Sequence, residues 1–195
     1  QRGVAAVELA LLLPMLLMLL FGMVDAARAL QANIILVNIS REGANLAARG
    51  NSRIETDSQQ IIYALMASAP PLDVNQRGMV FITRVMGVVR YGVASSVVLD
   101  QYRWDDAARN LGFRANGYDP NSKVYDCSAW TGPVCSSISS LARPDVALMR
   151  GKLMDGEVIY VVETFYKFDM LLTGGASAAL KLPVFGPNLY SMTVF

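Results

Sequence analysis

The sequence predicts an α+β protein: a long N-terminal helix able to span a membrane, then a small C-terminal head with a short helix and an antiparallel sheet. Three observations carry this. Val4–Val24, "VAAVELALLLPMLLMLLFGMV", holds one charge, Glu8. Strong helix formers continue from there to Arg49. Later stretches such as "GEVIYVVETFYKFD" alternate valine, isoleucine and aromatic residues at the period of a strand. A chain of 195 residues accommodates one medium domain plus an anchor, so the boundaries expected are 1–50 for the helix and 51–195 for the head.

About 20 residues rising 1.5 Å each cross a hydrocarbon core of ~30 Å, and the first stretch is long enough. A cleavable secretory signal has a shorter apolar region and a small-residue cleavage site, which "FGMVDAARALQ" offers only loosely. Pro14 lies inside this stretch, where it either kinks the helix or is simply a tolerated membrane proline. Beyond Val24 polar residues enter at Arg28, Gln31, Asn38, Arg41 and Glu42, while Leu30, Ile34 and Val37 fall on one face. Gly50, Asn51 and Ser52 read as the stop. A helix of more than about 40 residues is ~60–70 Å long, more than a bilayer needs, so something other than lipid packs along it.

Arg53–Ala69 has the apolar spacing of a second helix, ended by "PPLD". "MVFITRVMGVVRYG" and "SSVVLDQYRW" form two strands joined as a hairpin near Gly92. Asp105 to about Ala142, rich in Gly, Asn, Ser, Asp and Pro, is a long loop with a helical turn, of the kind that often binds. The strand at 156–169 is bulky on both faces, as expected of a central strand covered by a helix. The tail "LPVFGPNLYSMTVF" adds a short edge strand, confined by Pro183 and Pro187.

The chemistry excluded is broad. With 17 basic and 16 acidic residues and no basic run, nucleic acid is a poor partner. Histidine is absent, which removes the commonest general base and metal ligand, and two cysteines alone do not close a zinc site. No phosphate loop is present, and "TGGAS" at 173–177 is a turn. Asp100, Asp105 and Asp106 lack EF-hand spacing and read as a solvated strand end. The expectation is therefore no enzyme, no cofactor and no metal. Cys127 and Cys135 in "CSAWTGPVC" suit a disulfide in an oxidising compartment, with two unpaired thiols as the alternative.

Arg2-Gly3, "VAAVE" and the apolar helix that follows resemble the processing site of type IV prepilins. Gly3, Ala6-Val7-Glu8, Pro14, Phe21-Gly22 and Arg41-Glu42-Gly43-Ala44 most closely resemble the TadE-like pseudopilins of tight-adherence (Tad) pilus systems. The resemblance covers about the first 50 residues, and "VIYVVETFYKF" fits it more loosely. It implies that prepilin peptidase cuts after Gly3, leaving Val4 first and Glu8 fifth. Major Tad pilins are almost bare helices, so a head this large implies a minor pseudopilin, one that primes assembly or sits at the tip for adhesion. The implied partners are other pilin or pseudopilin subunits through the N-terminal helix, inner-membrane lipid and the peptidase. The implied location is the bacterial inner membrane, crossed once with the head exported, and then the surface pilus. Arg2 agrees weakly with that orientation.

A carboxylate at the centre of a membrane helix costs about 2.5–3.5 kcal/mol. By the resemblance, Glu8 pairs with the new α-amino group of Val4 on a neighbouring subunit and sets the register of assembly. The plainer reading is an acid near the helix N-terminus at the lipid interface, where it suits the macrodipole. A different class of function is a signal-anchored exported binding protein that never polymerises.

Overall fold

The computed structural model describes residues 2–49, 54–171 and 188–195, with side chains from Val7 in the first helix and from Gln59 in the second. The expected helix stop at Gly50–Ser52, the turn at 173–177 and the two prolines of the tail lie outside the described residues.

Helix α1 runs without interruption from Arg2 to Arg49, with Pro14 inside it. Helix α2 (Ile54–Ala67) and a single turn, α3 (Val74–Arg77), lead into strand β1 (Gly78–Arg90). Strand β2 (Val93–Arg103) returns beside it as an antiparallel hairpin. The turn is Tyr91-Gly92 with both φ angles positive, 52° and 79°, the mirror-image geometry that matches the twist of the paired strands.

The long excursion after β2 is more structured than a loop. It holds β3 (Asp105–Asp106), β4 (Leu111–Gly112), a helical turn α4 (Phe113–Asn116), the tiny hairpin β5 (Trp130–Thr131) and β6 (Val134–Cys135), and β7 (Asp145–Val146). The chain then enters β8 (Val158–Lys167) and ends in β9 (Asn188–Val194). The main sheet runs β5-β6-β2-β1-β8-β9, with β7 also on β2. Strand β8 is thus interior and β9 an edge, as their patterns suggest.

One face of the sheet receives α1 and α2. Ser40 of α1 bonds to the hydroxyls of Ser191 (2.8 Å) and Thr193 (3.0 Å) on β9, and Gly43 lies against Val162 of β8 and Leu65 of α2. The buried stripe of α1 is Ala32, Leu36, Ile39, Ala44 and Ala47. The face that carries Leu30 and Ile34 is turned outward, these two being 67% and 61% exposed. The inward side combines the bulk of Leu36 and Ile39 with small residues at Gly43, Ala44 and Ala47, which let the helix backbone sit close to the sheet.

The opposite face is covered by the excursion. Gln101 of β2 donates to Thr83 of β1 (3.1 Å), to Ser122 (3.0 Å) and to the Tyr125 carbonyl (3.0 Å). Val85, Val98, Val146, Leu153, Ile159 and Val161 form a second apolar cluster there. The sheet is therefore the middle of three layers.

Candidate functional site

The sites expected from sequence fall in two places, the apolar half of α1 and the cysteine loop. Gly3 and Val4 lie on the first helical turns of α1. Glu8 is exposed, flanked by exposed Val7, Leu9, Leu11 and Leu12, and Pro14 lies further along the same apolar stretch. Among the described residues this is the one helix long and apolar enough to cross a membrane, and its apolar stretch is wholly unburied.

Cys127 and Cys135 are joined as a disulfide. Cys135 sits in β6 opposite Trp130, so the bridge fastens the outer edge hairpin to the loop that covers the sheet. Beside it is a cavity of about 210 Å³, walled by Phe81, Asp119, Ser122, Tyr125, Asp126 and Trp130 among others. Arg103 braces two residues of this wall, donating to Asp119 at 2.9 Å while its guanidinium lies over the ring of Trp130 (4.7 Å) and over that of Phe113 (3.7 Å). Burial lowers the Arg103 pKa, opposed by Asp119 and Asp105. Burial raises that of Asp119, opposed by Arg103 and reinforced by Asp126.

Asp105 and Asp106 are not a solvated strand end. Both are buried, Asp105 accepting from Arg114 at 3.0 Å and Asp106 from Arg109 at 2.8 Å, while Asp100 is bound by Arg84. These contacts use the carboxylates as structural ties. Buried carboxylates need partners, and arginines within ten positions supply them; that pattern was visible in "DDAARNLGFRAN".

Two further groups were not singled out from sequence. Glu163 of β8 is fully buried and accepts from the Ser122 hydroxyl, the Lys123 backbone N–H (2.9 Å) and the Tyr190 hydroxyl (3.0 Å). Burial and the adjacent Glu163 together hold the Tyr190 phenol well above its ordinary range. Asp25, the first charge after the apolar stretch, is buried and accepts from the Leu171 N–H (2.8 Å) and from Arg28 (3.2 Å). It ties the helix to the end of β8 where the apolar half begins. Its position after "FGMV" was the available signal.

One helix thus carries two surfaces: a wholly exposed apolar half with a single carboxylate, and a half built into a head. Residues 3–45 match the model of the TadE-like protein family. Over this segment the chain is similar to that family. The match ends within the helix-packed part of the head, so the TadE-like segment contains Gly3, Val4, Glu8 and Pro14, and the sheet and disulfide lie beyond it. No curated protein and no solved structure matches the chain.

Proposed function

We propose that the chain is a minor pseudopilin of a Tad-type pilus. It is held in the membrane by the apolar half of α1, is processed by prepilin peptidase between Gly3 and Val4, and joins other subunits through that same helix. The observation that carries this reading is the exposure of an entire span-length apolar half-helix bearing Glu8, within a segment that matches the TadE-like family. Exposed Leu30 and Ile34 extend the apolar surface past the span on the side turned away from the sheet. Such a surface fits neighbouring helices better than water.

In this reading Glu8 stays in lipid until the α-amino group of Val4 on a neighbour meets it, and the head carries the disulfide loop outward for priming, tip display or adhesion. Removing one member of such a desolvated pair costs about 3–5 kcal/mol. Glu8→Ala is therefore expected to leave membrane insertion intact and to abolish incorporation into pili. Gly3→Leu is expected to block processing, because the peptidase needs close backbone access. N-terminal sequencing of the protein from piliated cells is expected to begin at Val4. A parent chain that keeps Gln1 to Gly3 and is absent from pili would instead mark an anchored binding protein that does not polymerise.

A further inference from the structure

Among the described residues strand β9 ends the sheet, with its outer edge open. Tyr160 and Phe195 exchange both backbone hydrogen bonds at 2.9 Å, which fixes the phase of the β8–β9 ladder. Leu189, Ser191 and Thr193 therefore turn their N–H and C=O groups toward β8. Asn188, Tyr190, Met192 and Val194 turn theirs outward, and among the described residues nothing pairs with that row. Natural sheets protect such an edge with charges, prolines or bulges. Residues 188–194, "NLYSMTV", contain no charge and no proline, and their register with β8 is unbroken.

The same residues present a groove. Tyr190 and Met192 point to the face opposite α1, where with Lys123, Val124, Ala147 and Leu148 they line a cavity of about 420 Å³. Met192 is 40% exposed. Lys123 Nζ lies 3.7 Å from the centre of the Tyr190 ring, and among the described residues no carboxylate pairs with it. An open row of main-chain donors and acceptors beside a side-chain groove is the arrangement that accepts an added strand: pairing supplies affinity and the groove selects side chains.

We propose that β9 is a docking edge, to which an extended segment of a different polypeptide adds as an outermost strand, with apolar residues at alternate positions entering the Val124–Leu148–Met192 groove and a carboxylate meeting Lys123. A second copy of this chain does not fit. Asp25 of α1 meets Leu171 beyond the end of β8, and Ser40 meets Ser191 and Thr193, so α1 runs parallel to β9. Antiparallel pairing of two β9 strands would point the two α1 helices in opposite directions, which anchoring in one membrane forbids. Parallel pairing would set the helix layer of one copy on the groove side of the other. This exclusion rests on the membrane-anchored reading above; the open edge and the groove do not.

The test is photo-cross-linking in piliated cells from the full-length chain, with p-benzoylphenylalanine at Leu148. The expected product joins one polypeptide other than this chain, through a segment that mass spectrometry finds to alternate apolar and polar residues. Met192→Pro deletes an outward N–H without touching the ladder to β8 and is expected to reduce the product about tenfold, while Met192→Val preserves it. Met192→Asp, which keeps every backbone group and charges the groove, is expected to reduce it similarly. An intact Cys127–Cys135 bridge verifies folding of each variant. Cross-links that survive both the Pro and Asp variants, that join a second copy or lipid alone, or that fail to form in cells where Val4 is the mature end would overturn the docking edge while leaving the pseudopilin reading in place. Loss of processing with the cross-link retained would do the reverse.

Discussion

Glu163 shows how one residue can hold a layer in place. The Ser122 Oγ already accepts from Gln101 and from the N–H groups of Val124 and Tyr125, so its own proton is directed to Glu163. The other carboxylate oxygen takes the Lys123 N–H and the Tyr190 hydroxyl. In Glu163→Gln an amide N–H₂ must face one of these donors, and a buried donor without a partner costs about 1–3 kcal/mol. Denaturant unfolding should register a loss of that size; a variant as stable as the parent would mean that the carboxylate is not needed as an acceptor. Asp106 allows a test by pH. Burial works to raise its pKa, but the Arg109 side chain and backbone and the Ala108 N–H outweigh it, leaving the value below the ordinary 3.8. A folded-state pKa below the unfolded one contributes stability that is present above the unfolded value and lost as pH falls through the folded one. Asp106→Asn should therefore be less stable than the parent at neutral pH, and the gap should narrow below about pH 4. A gap that widens on acidification would contradict the direction assigned here.

Among the elements, the disulfide hairpin is held mostly by its bridge. Strands β5 and β6 are two residues each, and β6 meets β2 through the single pair Tyr102–Val134. Closing a loop of sequence separation 8 is worth about 2.5 kcal/mol on the chain-entropy account. Replacing both cysteines by serine should lower stability by about that amount. The accompanying rise in hydrogen exchange should be confined to residues 119–137, with the α1–β8–β9 layer unchanged. The elements legible in the sequence were those set by local chemistry: the β1–β2 hairpin through Gly92, the interior strand β8 through its two bulky faces, and the long helix through its composition. The outer layer was not legible, because Glu163, Gln101, Thr83 and Ser122 come from four separate segments and only the sheet register brings them together. Which face of α1 packs was not legible either, because apolar residues stand on both sides, Leu30 and Ile34 outward and Leu36 and Ile39 inward; Gly43, Ala44 and Ala47 permit the close approach to β8 and α2. Of the expected site residues, the disulfide that the short loop between Cys127 and Cys135 suited is formed, whereas the roles proposed for Gly3 and Glu8 depend on a partner no single chain contains.

At the scale of the whole molecule, α1 serves two environments, and the boundary between them is Asp25. Between Val7 and Val24 every residue except Gly22 is exposed, so the first part of the helix contributes nothing measurable to packing the head. From Asp25 onward the helix supplies a carboxylate tied to Leu171 and five apolar residues of the core, Leu36 and Ile39 among its largest fully buried side chains. Losing even one such side chain costs about 2–5 kcal/mol, against total stabilities of about 5–15 kcal/mol. Two truncations should thus behave oppositely. A chain beginning at Asp25 should be soluble without detergent, form the Cys127–Cys135 bridge and unfold cooperatively, at a stability within about 1 kcal/mol of the detergent-held full chain. A chain beginning at residue 51, cut where composition changes, should fail to unfold cooperatively, because the sheet would expose to water the whole face that α1 covers. If the shorter chain instead unfolds as one cooperative unit with native stability, the second half of α1 is an attachment and not part of the core.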